Sequence, residues 1–300
     1  MPRILVTGAS GLIGRAAVPE LAAAGFEVVA LSRSGPVAGA DRTIAADLLD
    51  VGAPASILRQ TGPSHLLHLA WAGGRDRWGG AVNLDWVAAT LTLVRAFAAA
   101  GGRRAVLAGS CAEYDWTAGE VFSEEAPLRP ATLYGAAKAA TGTLLSAAAP
   151  ALGLSVAWAR PFFVYGPGEG EGRLLGDLSA GLRAGRPVET TDGMQERDFL
   201  HSADLGRGLA LLARSDLGGA VNLGSGRGTA VRDLILGAAR ILGREDLVRL
   251  GARPRPAGDP VRIVADAGRA ARELGFTPRI GLAEGLADAL GVAPSGRSAR

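Results

Sequence analysis

Thr7-Gly8-Ala9-Ser10-Gly11-Leu12-Ile13-Gly14 decides the fold, because it follows a short apolar β-type run, Arg3 to Thr7, and opens a helical stretch, Leu12 to Ala24. Glycines at this spacing permit a tight strand-to-helix turn, close approach of a pyrophosphate, and tight packing of helix on sheet. The helix N-terminus adds unpaired N–H donors and positive potential. A glycine motif alone says little; a strand before it and a helix after it make it a dinucleotide site. Gly8, Ser10, Gly11, Leu12, Ile13 and Gly14 are therefore expected to hold a dinucleotide.

Outward from this turn, β-type runs recur at Glu27 to Leu31, Arg42 to Ala45, Ser64 to Leu69, Arg104 to Ala108 and Ser155 to Ala159. Helical patterns at Ala81 to Ala100 and Thr132 to Ala149 lie between the later ones. This alternation is the signature of βαβ units in a parallel sheet, hence an α/β fold. The last two helices are rich in alanine and suit close packing against a partner's copies, so a homodimer is expected. Beyond about Arg160, glycine-rich loops (Gly166 to Gly172), shorter helices and short strands take over, which reads as a smaller lobe over the sheet's carboxyl edge. The expected organisation is a dinucleotide-binding domain over 1–160, its sheet completed by later segments, a substrate lobe over 161–293, and a disordered tail over 294–300.

Composition narrows the class. With 48% hydrophobic and 20% charged residues in 300, the chain has material for a sizeable core. The 32 Lys+Arg against 29 Asp+Glu leave only +3, and the basic residues are scattered, so no nucleic-acid partner is expected. Cys111 is the one cysteine and the histidines His65, His68 and His201 lack ligand spacing, which argues against disulfides and a metal site and for a reducing cytoplasm. No apolar stretch of about 18 residues is free of charge, so no membrane span is expected. Among the 32 basic residues only Lys138 is lysine. A retained ammonium in a chain that otherwise uses arginine points to chemistry that a planar, permanently charged guanidinium cannot supply.

That lysine stands four residues after Tyr134, on the same helical face. An ammonium there is expected to stabilise the tyrosinate and draw the phenol toward neutrality, making Tyr134 a general acid or base. Ser110, at the end of the fifth strand, lies on the same sheet edge as the glycine turn, where its hydroxyl bridges the phenol to a substrate oxygen. At the end of the second strand the sequence reads Leu31-Ser32-Arg33-Ser34. Arg33 suits a 2′-phosphate, which favours NADP(H) over NAD(H), with NAD(H) as the alternative. Asp47 and Leu48, after the third strand, are placed to bracket the adenine.

With these residues the chain resembles the extended short-chain dehydrogenase/reductase family, the NAD-dependent epimerase/dehydratase group that modifies nucleotide sugars. The resemblance runs from residue 3 to about 290. It rests on the glycine spacing, His68-Leu69-Ala70, Ser110 with Tyr114, Tyr134 with Lys138, and Arg160 with Val164-Tyr165-Gly166-Pro167. Further along come Arg197-Asp198-Phe199-Leu200-His201, Asn222-Leu223-Gly224-Ser225-Gly226, Gly258-Asp259 and Leu274-Gly275-Phe276-Thr277-Pro278. It implies a Rossmann-type doubly wound parallel sheet with a smaller C-terminal α/β substrate lobe. Leu69 and Ala70 would line the cofactor, and Lys138 would hold its ribose. The implied substrate is a nucleotide-diphosphate sugar, with Arg197 on the diphosphate and Arg255 and Asp259 lining the nucleotide pocket. Phe163 departs from the asparagine usual in the family.

Departures also select the reaction. Where dehydratases of the family carry Asp and Glu after the catalytic hydroxyl, this chain has Cys111 and Ala112. Where relatives that invert C3 and C5 carry cysteine and histidine, it has Ala112 and Gly168. Cys111 is expected to be a buried core thiol. What remains is hydride transfer assisted by the tyrosine. Reduction of a 4-keto-6-deoxyhexose at C4 is the leading expectation, with 4-epimerisation on tightly bound NAD as its alternative. A non-catalytic dinucleotide sensor is the alternative of another class, though such proteins lose the tyrosine-lysine pair. Trp71, Trp78 and Trp86 are candidates for walls of the sugar site, with core packing as their simpler role.

Overall fold

The computed structural model of the chain describes residues 1–50 and 52–292. The tail expected to be disordered, 294–300, lies outside the described residues. The first half runs β1 (Arg3–Thr7), α1 (Leu12–Ala23), β2 (Glu27–Ser32), β3 (Arg42–Ala45), α2 (Ala53–Thr61), β4 (His65–His68), α3 (Val82–Ala99) and β5 (Arg104–Ala108). Then come β6 (Val121–Phe122), α4 (Leu133–Leu152) and β7 (Ser155–Pro161). Helix α2 is absent from the sequence reading: it is short, and Pro54 in its first turn, harmless there, masks the helical pattern.

Seven parallel strands form the main sheet in the order β12-β7-β5-β4-β1-β2-β3, where β12 is Gly219–Leu223. β1 pairs with β2 on one side and β4 on the other, so the winding reverses at β1, and a crevice opens at its carboxyl end. The glycine turn stands at that point. Successive β1 residues alternate between the faces. Ile4 and Val6 pack with Ala17, Val18 and Leu21 of α1, and Leu5 packs with Ile57, Leu93 and Leu145 from α2, α3 and α4. Each such side chain buried in full contributes about 2 kcal/mol.

After β7 the chain serves both layers. β8 (Phe163–Tyr165), α5 (Leu174–Arg183), β9 (Val188–Glu189), β10 (Glu196–Arg197) and β11 (Phe199–His201) build the lobe. Helix α6 (Ser202–Arg214) and β12 then return to the main sheet, α6 packing on α1 where Gly206 leaves room: a Cβ there would lie 2.5 Å from the Ala16 carbonyl oxygen. β13 (Thr229–Ala230), α7 (Val231–Leu242), β14 (Val248–Arg249), β15 (Arg262–Ala265), α8 (Gly268–Leu274) and α9 (Leu282–Ala289) complete the chain. A second sheet, β13-β10-β15-β6, and a core of Leu175, Leu178, Leu234, Ile235 and Leu286 hold the lobe together. Helix α3 has the length and mean hydropathy of a membrane span, yet it carries Asp85 and Arg95 and buries Trp86, Leu93, Val94 and Phe97 against the sheet.

Candidate active site

The turn after β1 is closed down to bare backbone. Gly8 sits at φ +67°, and a Cβ on it would come within 2.7 Å of the Ala70 nitrogen; on Gly14 it would lie 2.3 Å from the Gly8 oxygen. Gly11 N–H donates to the Gly8 carbonyl at 3.1 Å, and α1 starts immediately after, with its first N–H groups free of intrahelical partners. Thr7 Oγ1 accepts the N–H groups of Leu69 and Ala70, both at 3.2 Å, and lies 2.7 Å from His68 Nδ1, which ties the end of β4 to that of β1. Burial, reinforced by the Lys138 charge, pushes His68 down to about 3, so it is a neutral structural group. Gly8, Ser10, Gly11, Leu12, Ile13, Gly14, Leu69 and Ala70 all line one cleft, and its narrow glycine floor and helix N-terminus fit a pyrophosphate. At the far end, Leu48 closes the wall. Arg33 and Asp47, expected to grip separate parts of the cofactor, face each other at 3.5 Å on the rim, with the Arg33 side chain 71% exposed.

Ser110 follows β5 and caps the short turn Cys111–Glu113. Glu113 holds it from below: its carboxylate accepts the Ser110 N–H at 2.8 Å, the Trp158 indole N–H at 2.9 Å and Arg160 Nε at 2.8 Å, all out of solvent. Cys111 is buried, as expected, and burial pushes its thiol up to about 12. Tyr134 lies in the first turn of α4, whose N-cap Thr132 accepts the Gly135 N–H at 3.1 Å. Ser110, on the same cleft wall, is the side chain that draws the Tyr134 phenol down. Lys138 is buried one turn on, donating to the Ala108 carbonyl at 2.7 Å, with Nζ 3.7 Å from the Trp71 ring centre. The three residues thus meet, but one expectation is corrected. Burial holds the Tyr134 phenol up, at about 12, against the opposing influence of Ser110, while burial brings Lys138 down to about 7. The reason is placement: the ammonium sits on Trp71 and Ala108, 6.0 Å from the Tyr134 ring centre.

Across the cleft the lobe contributes Arg197, whose Nη2 is 2.6 Å from Asp259 Oδ1 and whose Nη1 donates to the Pro260 carbonyl at 2.9 Å. Both line the cleft. Arg255 does not: it stands behind Asp259, 3.8 Å from that carboxylate, and Arg253 takes the wall position instead. The three tryptophans expected near the sugar site differ from one another. Trp86 is packed in the core, Trp71 covers Lys138, and Trp78, 42% exposed, sets its ring edge-on to Tyr134 at 5.4 Å; all three line the cleft. Sequence reading missed Glu113 and, on the cleft lining, Arg173 and Glu169. Only the first carried a signal, a Ser-x-x-Glu capping box directly after a strand. It also missed two straps between the layers: Arg15 donates to the Gly168 carbonyl at 3.1 Å and Arg77 to that of Gly172 at 3.3 Å.

The cleft spans about 900 Å³, continuous from the glycine turn to Asp259, which is generous for a single ligand of ordinary size. Among the described residues no cluster of His, Cys, Asp or Glu would hold a metal ion. Residues 4–224 match the model of the NAD dependent epimerase/dehydratase family. The chain is 30% identical to the UDP-glucose 4-epimerase of Corynebacterium glutamicum, over 92% of this chain and 91% of that protein. It is also 30% identical to the dTDP-4-dehydro-6-deoxy-D-allose reductase of a Streptomyces species, over 94% of each. Among solved structures it is similar to MoeE5 in complex with UDP-glucuronic acid and NAD, with TM-score 0.83 and 35% identity over 96% of this chain and 98% of that one.

Proposed function

The chain belongs to the NAD dependent epimerase/dehydratase family of nicotinamide-dependent nucleotide-sugar enzymes, and from that premise we propose that it reduces the C4 ketone of a nucleotide-diphosphate-linked 4-keto-6-deoxyhexose. The observation that carries this reading is Tyr134: a protonated phenol, beside Ser110, at the place where the dinucleotide cradle meets the wall bearing Arg197. A bound nicotinamide dinucleotide would supply the hydride. Tyr134 gives its proton to the oxygen that becomes the C4 hydroxyl, Ser110 orients that oxygen, and Lys138 holds the cofactor ribose. Arg197, kept in place by Asp259, faces the diphosphate.

The neighbouring carboxyl, Glu169, accepts the Leu175 N–H at the start of α5 through one oxygen, and its other oxygen is buried without a partner. No second acid is required, since ketone reduction moves one hydride and one proton. Phe163, Phe199 and Trp78 on the cleft wall suit a methyl group at C5 of the sugar better than a hydroxymethyl. NADP(H) is the proposed cofactor, through Arg33. The protein acts as a cytoplasmic homodimer joined through α3 and α4.

A second reading, 4-epimerisation with retained NAD, is favoured by the pairing of Arg33 with Asp47, which partly neutralises the cation a 2′-phosphate needs, and by the similarity to UDP-glucose 4-epimerases. Incubation with NADPH, NADH and a panel of nucleotide-linked 4-keto-6-deoxy and 4-hydroxy hexoses separates the two. Stoichiometric NADPH oxidation with a keto-sugar is the expected result. Interconversion of 4-hydroxy epimers without net oxidation would replace the reductase by the epimerase.

A further inference from the structure

Lys138 is the only lysine in the chain, and its surroundings account for why arginine does not replace it. The ammonium has three N–H donors. One meets the Ala108 carbonyl at 2.7 Å, and the face of Trp71 lies 3.7 Å away at its ring centre. Trp71 is itself held on two sides: its indole N–H donates to Asn83 Oδ1 at 2.9 Å, and its ring stacks on Trp86 at 6.3 Å. Asn83, fully buried, is pinned in turn by donating to the carbonyls of Arg77 at 2.8 Å and Gly80 at 2.9 Å. Trp71 and Lys138 both line the cleft.

We propose that Trp71 is a positioning residue for the cofactor, its indole face holding the Lys138 ammonium at the edge of the dinucleotide site. The inference rests on the reading that Lys138 serves the bound dinucleotide. An aromatic face attracts a cation through its quadrupole without accepting a directed hydrogen bond. It therefore replaces water around the ammonium while leaving N–H groups for ligand hydroxyls. A guanidinium in the same place would stack flat on the indole and turn its donor edge away, so the compact cation is the one that fits.

Because the chain has one lysine, growth on 13C,15N-lysine places a single labelled lysine side chain in the whole protein. In the wild type the ε-methylene signal is expected upfield of free lysine, displaced by the indole ring current, and it should move when NAD or NADPH is added. In Trp71→Leu it should return to the free-lysine position, and the dinucleotide dissociation constant should rise about tenfold. Trp71→Phe, which keeps a π face, should restore most of both. A free-lysine shift in the wild type, or unchanged dinucleotide affinity in a folded Trp71→Leu, overturns the proposal. If Trp71→Leu fails to fold, Trp71→Phe decides: loss of both the shift and the affinity despite a retained face also overturns it. A ring-shifted signal that stays still while the dinucleotide binds would instead remove Lys138 from the cofactor site, refuting the reading on which the inference rests.

Discussion

At the residue scale, Tyr134 and Lys138 stand one helical turn apart but are solvated, or rather desolvated, by different neighbours. Burial keeps the phenol protonated beside Ser110, which equips it to donate. Tyr134→Phe is accordingly expected to lower turnover by about 10² to 10⁴ with dinucleotide affinity retained; steady-state kinetics beside fluorescence titration of the cofactor check both halves. Lys138 makes a pH prediction. Its folded pKa of about 7 lies below the value of an unfolded lysine, so between those two the unfolded chain binds more protons and native stability rises with pH. Relative to Lys138→Met, the wild type should therefore gain roughly 1 kcal/mol of stability per pH unit between about 7.5 and 9.5. Urea unfolding of both proteins across that range is the measurement, and parallel curves would show that the lysine is not desolvated.

At the element scale, the strand-turn-helix of β1 and α1 is set by glycines that have no substitute. The Gly14 position faces the Gly8 carbonyl so closely that a methyl group has nowhere to go. Gly14→Ala is expected to abolish dinucleotide binding and to lower stability by about 1 to 3 kcal/mol through overpacking, measured by thermal unfolding with and without cofactor. This element was legible because its requirement is local: a positive φ at Gly8 and backbone approach at Gly14 exclude all other residue types. The strands β1 to β5 were legible for a related reason, their apolar runs being bounded by turns. The short strands of the lobe were not, since β10, two residues long, exists only because β15 and β13 flank it.

At the scale of the molecule, the cleft is assembled from the glycine turn, the ends of β4 and β5, the first turns of α4, and lobe segments far along the chain, with Arg15 and Arg77 fastening the two layers. The outer faces of α3 and α4 carry Leu84 and Leu144, 60% and 52% exposed. Light scattering at micromolar concentration is expected to give a dimer, and Leu84→Glu with Leu144→Glu a monomer; a monomeric wild type would remove these helices as an interface.

The sequence by itself determined the glycine turn between strand and helix, the parallel α/β class, and the placement of Tyr134 and Lys138 one turn apart on one helix, because each is written in local spacing. Only the tertiary structure decided what surrounds those residues. It put Trp71 rather than Tyr134 against the Lys138 ammonium, Arg33 opposite Asp47, and Arg253 rather than Arg255 on the cleft wall. These are contacts between segments distant in sequence, and burial, which sets the protonation of Tyr134 and Lys138, is a property of the packed molecule and not of any stretch of it.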